Sequence, residues 1–198
     1  MTDIISFEPA SESASTESID PATLAERSDV EYCEETYTHD ERDHCEAGAD
    51  GRAIVGMTDG EGALLYCVRE GSDHAILPNG IVDTGDAADA WADAARGAVE
   101  TLGVDLELGG VERVRRVEHV HEDGTHLDTT HHVVFRGSHP ATERDGREEH
   151  DGREERGDRD EPAIACDDEW TATWADEPPV DLDRENDGVY ADIRLFTE

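Results

Sequence analysis

Leu77-Pro78-Asn79-Gly80-Ile81-Val82-Asp83-Thr84-Gly85-Asp86, running on through Arg96-Gly97-Ala98-Val99-Glu100-Thr101-Leu102-Gly103-Val104, is the stretch on which the fold turns. Its first part, from Ala75, reads as a short strand closed by the Pro78-Asn79-Gly80 turn. The segment from Asp86 to Leu102 is rich in alanine, contains no proline and is followed by Gly103, so it is expected to be a helix with Gly103 as its C′ residue. At 3.6 residues per turn, Trp91, Ala94, Ala95, Ala98, Val99 and Leu102 make one apolar face. Asp86, Asp89, Asp93, Gly97 and Glu100 gather on the other.

On the N-terminal side, Arg52-Ala-Ile-Val-Gly-Met-Thr reads as a strand, Asp59-Gly60-Glu61-Gly62 as a hairpin turn, and Ala63 to Arg69 as the partner strand. On the C-terminal side, Val111 to Glu122 alternates as a strand, Asp123-Gly124 turns it, and Thr130 to Arg136 returns antiparallel. Glu169 to Trp174 is a further strand, and Val189 to Phe196 a terminal helix or strand. Strands around one well-formed helix predict a mixed α/β (α+β) domain without a βαβ dinucleotide pattern. Residues 1–24 read as a disordered acidic tail, and residues 25–198 as the domain. The domain is interrupted at 139–162 by a low-complexity loop that holds the near-repeat Asp145-Gly-Arg-Glu-Glu-His and Asp151-Gly-Arg-Glu-Glu-Arg.

Composition limits what the domain can do. Among 198 residues there are 52 Asp or Glu and 16 cations, all of them Arg, for a net charge of −36. Such a chain is repelled by duplex nucleic acid and by anionic membranes, which are bound through Lys and Arg. Excess acid without lysine fits a halophile, because molar salt shortens the Debye length to about 3 Å and screens self-repulsion. No cationic start or signal-length apolar run is present, so the expected compartment is the cytoplasm. The four cysteines form no C-x-x-C pair. Cys67, inside Leu64 to Val68, reads as a buried inert thiol, and Cys33 and Cys45 with His39 or His44 lack metal-site spacing.

The stretch quoted first resembles the Nudix box, G-x5-E-x7-R-E-U-x-E-E-x-G-U with U aliphatic. Gly80 stands at the opening Gly, Asp86 at the first Glu, Arg96 at the Arg, Glu100 at the first Glu of the E-E pair, and Gly103-Val104 at the close. The Asp-Gly-x-Gly-x-Leu-Leu hairpin, the Leu-Pro-x-Gly turn, the His131-His132-Val133-Val134-Phe135 strand and the Trp174-Ala-Asp-Glu-Pro-Pro segment follow in family order over residues 52–196, apart from the repeat loop. The resemblance implies a Nudix-like α/β/α sandwich with a mixed sheet. The departures are equally specific: nine residues separate Asp86 from Arg96 instead of seven, Gly97 replaces a Glu, and Thr101 replaces the second Glu of the pair.

The resemblance implies a metal-dependent hydrolase of a nucleoside diphosphate linked to another group. Mg²⁺ or Mn²⁺ would neutralise the diphosphate while an activated water attacks phosphorus. Glu100 and Arg96 are the expected catalytic residues, with Arg96 pairing an acid of the box such as Asp86. Gly80 and Gly97 are expected against the substrate phosphates, and Glu100, Asp93 and Asp89 as metal ligands, since oxygen-rich helix faces suit these hard cations. The alternative is a catalytically silent Nudix fold that binds a nucleotide or a protein. The expected partner is a small nucleotide-type diphosphate, with no duplex nucleic acid and no membrane, and a homodimer left open. His119 and His121 share a strand face near His131 and His132, where exposed histidines are the ordinary expectation and a transition-metal site the alternative. Glu122 is a candidate for an additional acid near the cleft.

Overall fold

The computed structural model describes residues 19–42, 46–69, 71, 74–83, 89–140, 164–167, 170–179 and 188–197. Asp86, the repeats, His44 and Cys45 therefore lie outside the described residues. Two antiparallel hairpins organise the chain. The first runs through β2 (Gly51–Thr58) and β3 (Leu64–Arg69), and the second through the long strands β6 (Glu107–His121) and β7 (His126–Ser138). With β1 (Glu31–His39), β4 (Ala75–Ile76), β5 (Asn79–Val82), β8 (Ile164–Asp167) and β9 (Trp170–Ala175) they build a nine-stranded sheet ordered β1-β6-β7-β2-β3-β9-β8. β1 on β6 and β2 on β7 are parallel; the remaining pairs are antiparallel. The mixed sheet expected from the sequence is present.

The helices cover opposite faces, and the period-2 alternation of the strands shows how. Ala53, Val55 and Met57 of β2, Leu65 and Cys67 of β3, and Val133 and Phe135 of β7 pack with Trp91, Ala95 and Val99 of α2 (Ala90–Glu100) and with Leu102 in the turn after it. The residues between them, Ile54, Leu64, Tyr66 and Val134, pack with Tyr190 and Ile193 of α3 (Gly188–Thr197). A sheet buried on both sides needs such near-continuous apolar strands. Trp91 is 3% exposed and Ala95 and Val99 0%. The face predicted from the helical period is the buried one, and each large side chain there contributes about 1.5–3 kcal/mol. At its other end α2 stops at Glu100 with Thr101 as C-cap, so Gly103, at φ +68, stands two residues past the cap and not at the C′ position expected of it.

Two boundaries differ from the sequence reading. Residues 19–24 do not belong to a tail. Asp20 caps α1 (Pro21–Ala25), its carboxylate accepting from the Thr23 amide at 3.1 Å, and Leu24 is buried in the core beneath α2. An N-cap Asp followed by Pro at N1 is the local signal for that turn. The helix α2 begins at Ala90, with Asp89 in the N-cap position but without a side-chain capping bond.

The sheet is not continuous at its centre. β2 and β3 pair only at Thr58 and Leu64, and then part. β5 pairs with β2 and β4 with β3, so Leu77 and Pro78 span the gap, held by a 2.8 Å bond from the Val55 amide to the Pro78 carbonyl. Among the described residues no helix is long and apolar enough to cross a membrane.

Candidate functional site

At this gap lies a cavity of about 650 Å³ that takes its walls from both faces of the sheet. One side is Leu77, Pro78 and Asn79 with Ala98 of α2 and Thr101 and Leu102 just past its end; the other is Arg52, Arg115 and His132 with Val189 and Asp192 of α3. Tyr37, His74 and Trp170 supply aromatic surface.

The polar wall follows from strand register. Arg52 of β2 is the lateral partner of His132 of β7, which in turn is the partner of Arg115 of β6, so the three side chains share the α3 face. Glu46, 4% exposed, reaches them from the turn before β2. Arg52 Nε donates to its Oε1 at 2.5 Å, Thr130 Oγ1 donates to Oε2 at 2.9 Å, and His132 Nε2 lies 3.0 Å from Oε2. Burial alone would push the Glu46 carboxyl up, but the bonds and charges of His132 and Arg52 hold it well below the usual carboxylate range. Thr130 uses its hydrogen on Glu46, so its oxygen accepts from His119 Nε2 at 2.9 Å. That assignment leaves His119 Nδ1 sharing one proton with His39 Nε2, 2.9 Å away.

A second buried group ties α3 to the sheet. Asp192 accepts from Arg113 Nη1 at 3.0 Å and from Arg115 Nη2. Glu31 is 2.9 Å from Arg113, and Glu35 3.4 Å from Arg115. Burial pulls the Arg115 guanidinium down, but Asp192, Tyr37 and Glu35 outweigh it and hold it above its ordinary value. The cavity wall thus carries Arg52 and Arg115 against Glu46 and Asp192, a balance of charge inside a molecule of net charge −36.

The box residues are distributed differently from the expected metal centre. Asp89, Asp93, Arg96 and Glu100 are all exposed. Arg96 pairs with Asp93 at 3.1 Å across one helical turn, an exposed contact of small energy. Among the described residues no group of three His, Cys, Asp or Glu side chains is arranged to hold a metal ion. The described acids of α2 therefore do not by themselves fit Mg²⁺ or Mn²⁺. Gly80 has a packing role: a Cβ there would sit 2.8 Å from the Ala94 carbonyl oxygen, so its absence lets α2 lie against β5. At Gly97 a Cβ would meet nothing within 4 Å, which leaves open space beside the cavity wall at Ala98 and Thr101.

Two expectations about the strands are revised. His119 is 1% and His132 5% exposed, so neither is the exposed strand histidine that composition suggests. Glu122 is exposed after β6, with its amide bonded to the His39 carbonyl at 2.9 Å, and is not on the cavity wall. Cys67 is the buried thiol expected of it. Sequence reasoning missed Glu46, Arg52, Arg115 and Asp192. Only the Arg113-Val-Arg115 alternation, cations where a strand should present apolar residues, hints at them. No protein-family model matches the chain, and no curated protein matches it.

Proposed function

We propose that the chain is a Nudix-like protein that binds a nucleotide-type diphosphate in the cavity at the sheet opening, without hydrolysing it. The observation that carries this reading is what bounds the cavity: the Leu77–Pro78 link with Asn79 of β5, and the C-terminal end of α2, the two halves of the box, meet there. On that wall the end of α2 and the residues after it present Ala98, Thr101 and Leu102, while Asp93 and Glu100 are exposed. A volume of about 650 Å³ with apolar and aromatic walls and a few convergent polar groups suits a small organic ligand. The charge-balanced inner wall suits the uncharged, ring-bearing part of a nucleotide, and the open space at Gly97 suits its phosphates at the mouth.

A Mg²⁺- or Mn²⁺-dependent diphosphohydrolase is the second reading. What favours it is the place of Glu100, adjoining Thr101 at the cavity wall, with open space in front of Gly97. Calorimetric titration of ADP, GDP, UDP, CDP and ADP-ribose in about 2 M KCl, where surface repulsion is screened, tests both. The cavity reading expects binding by at least one of them with EDTA present, weakened tenfold or more by Ala98→Phe at unchanged melting temperature. No binding by any of the five would sink it. Metal-dependent phosphate release that is lost in Glu100→Gln and raised by Gly97→Glu with Thr101→Glu would replace the silent reading with the hydrolase.

A further inference from the structure

The hydrogen bonds around Glu46 fix more than its charge. An ionised carboxylate only accepts, so the His132 Nε2 that lies 3.0 and 3.2 Å from its two oxygens carries a hydrogen. In the neutral ring Nδ1 is then a bare acceptor. That nitrogen has no hydrogen-bond partner among the described residues. Unlike the Nε atoms of Arg113 and Arg115, it is not sealed from solvent, and the residue it belongs to lines the cavity.

Its lateral neighbour is complementary. Arg52, in register with His132 across β2 and β7, gives Nε to Glu46 and Nη1 to the Asn79 side chain at 2.8 Å. Nη2 has no bond to any described residue, and Arg52 also lines the cavity. One carboxylate thus orients two adjacent side chains so that one offers an acceptor and the other a donor. The tie to Asn79 anchors the arrangement to the start of β5.

Resting on the reading of the cavity as a nucleotide site, we propose that His132 and Arg52 select a ligand with a ring lactam edge. His132 Nδ1 accepts the ring N–H, and Arg52 donates to the carbonyl beside it. Among nucleobases, uracil and guanine present this N–H and C=O pair. Cytosine and adenine present a ring-nitrogen acceptor beside an amino donor, the reverse pattern, so either would set acceptor against acceptor and donor against donor. A site whose buried polar groups are left unpaired by the wrong ligand discriminates strongly.

The test is titration of UDP, GDP, CDP and ADP with EDTA in about 2 M KCl. UDP and GDP should bind at least about tenfold more tightly than CDP and ADP. His132→Phe should abolish that preference. His132→Gln, whose amide nitrogen can donate to Glu46 while its oxygen accepts from the ligand, should restore it. Equal binding of all four by the wild-type protein, or a preference that survives His132→Phe, overturns the assignment while the cavity remains a nucleotide site. Binding by none of the four overturns the cavity reading, and this assignment with it.

Discussion

Replacing Asp192 by Asn should loosen α3 from the sheet, and the cost can be worked from its surroundings. The Asp192 side chain is 2% exposed, and those of Arg113 and Arg115 are 8% and 1% exposed. The amide keeps the shape of the carboxylate but removes its charge and turns one acceptor into a donor that faces a guanidinium. Arg113 retains Glu31 at 2.9 Å, on a side chain that is 53% exposed. Arg115 retains only Glu35, at 3.4 Å. Breaking a buried pair by removing one partner costs about 3–5 kcal/mol, because a desolvated charge is left uncompensated. Asp192→Asn should therefore lower stability by about 4 kcal/mol, roughly a thousandfold in the folding equilibrium, a large part of the about 5–15 kcal/mol that holds a typical domain. Urea unfolding followed by tryptophan fluorescence, at several KCl concentrations, measures it. The loss should change little with salt, since buried pairs are screened far less than surface ones. Arg113→Met, Arg115→Met and Asp192→Leu together should cost much less than Asp192→Asn alone. A loss below about 1 kcal/mol for the single change, or one that disappears in high salt as an exposed pair would, refutes the buried tie.

Glu46 carries a pH prediction. Its folded-state carboxyl is depressed below the ordinary 4.5, so its contribution is complete above that value and is lost as pH falls towards the depressed one. Glu46→Gln should therefore be less stable near neutrality, show a shallower acid limb, and converge with the wild type in strong acid; parallel acid curves would contradict it. Gly80→Ala and Gly97→Ala should differ in sign. The first forces a Cβ to within 2.8 Å of a carbonyl oxygen and should destabilise by about 1–3 kcal/mol, while the second meets open space in mid-helix and should stabilise by up to about 1 kcal/mol. Equal thermal shifts would show that the helix contact is misplaced. With 52 acids against 16 cations, compactness measured by small-angle scattering should fall at low ionic strength and return in molar KCl; an unchanged radius would argue against screening as the requirement.

What the sequence disclosed was what short-range periodicity can carry. The face of α2 follows from the spacing of Trp91, Ala95 and Leu102, and both hairpins follow from their turns, so these elements lie where they were expected. β1 escaped notice because its inward side is not apolar. Glu31 and Glu35 answer Arg113 and Arg115, and an edge strand of Glu, Thr and Tyr has no hydrophobic period to detect. Leu24 reads as part of a tail for a similar reason: one buried leucine in an acidic segment carries no period.

The polar wall was illegible for a different reason. Glu46 meets Thr130 and His132 from 84 and 86 residues away, and Asp192 meets Arg113 and Arg115 from 79 and 77, so no local motif joins them. The acids that do form a motif, on α2, are the ones left in solvent. In a chain this acidic, helix-face carboxylates carry little information, because solvated acids occur on every surface. Carboxylates drawn inside against cations carry more, since each must offset its own desolvation through specific partners. Glu46 meets that demand with Arg52, Thr130 and His132, and two of these, Arg52 and His132, also line the cavity. Recognition built from such a pair does not rely on long-range attraction, which molar salt would screen. On the proposed reading, a charge-balanced cavity with a fixed hydrogen-bond pattern would let a molecule of net charge −36 distinguish between small ligands.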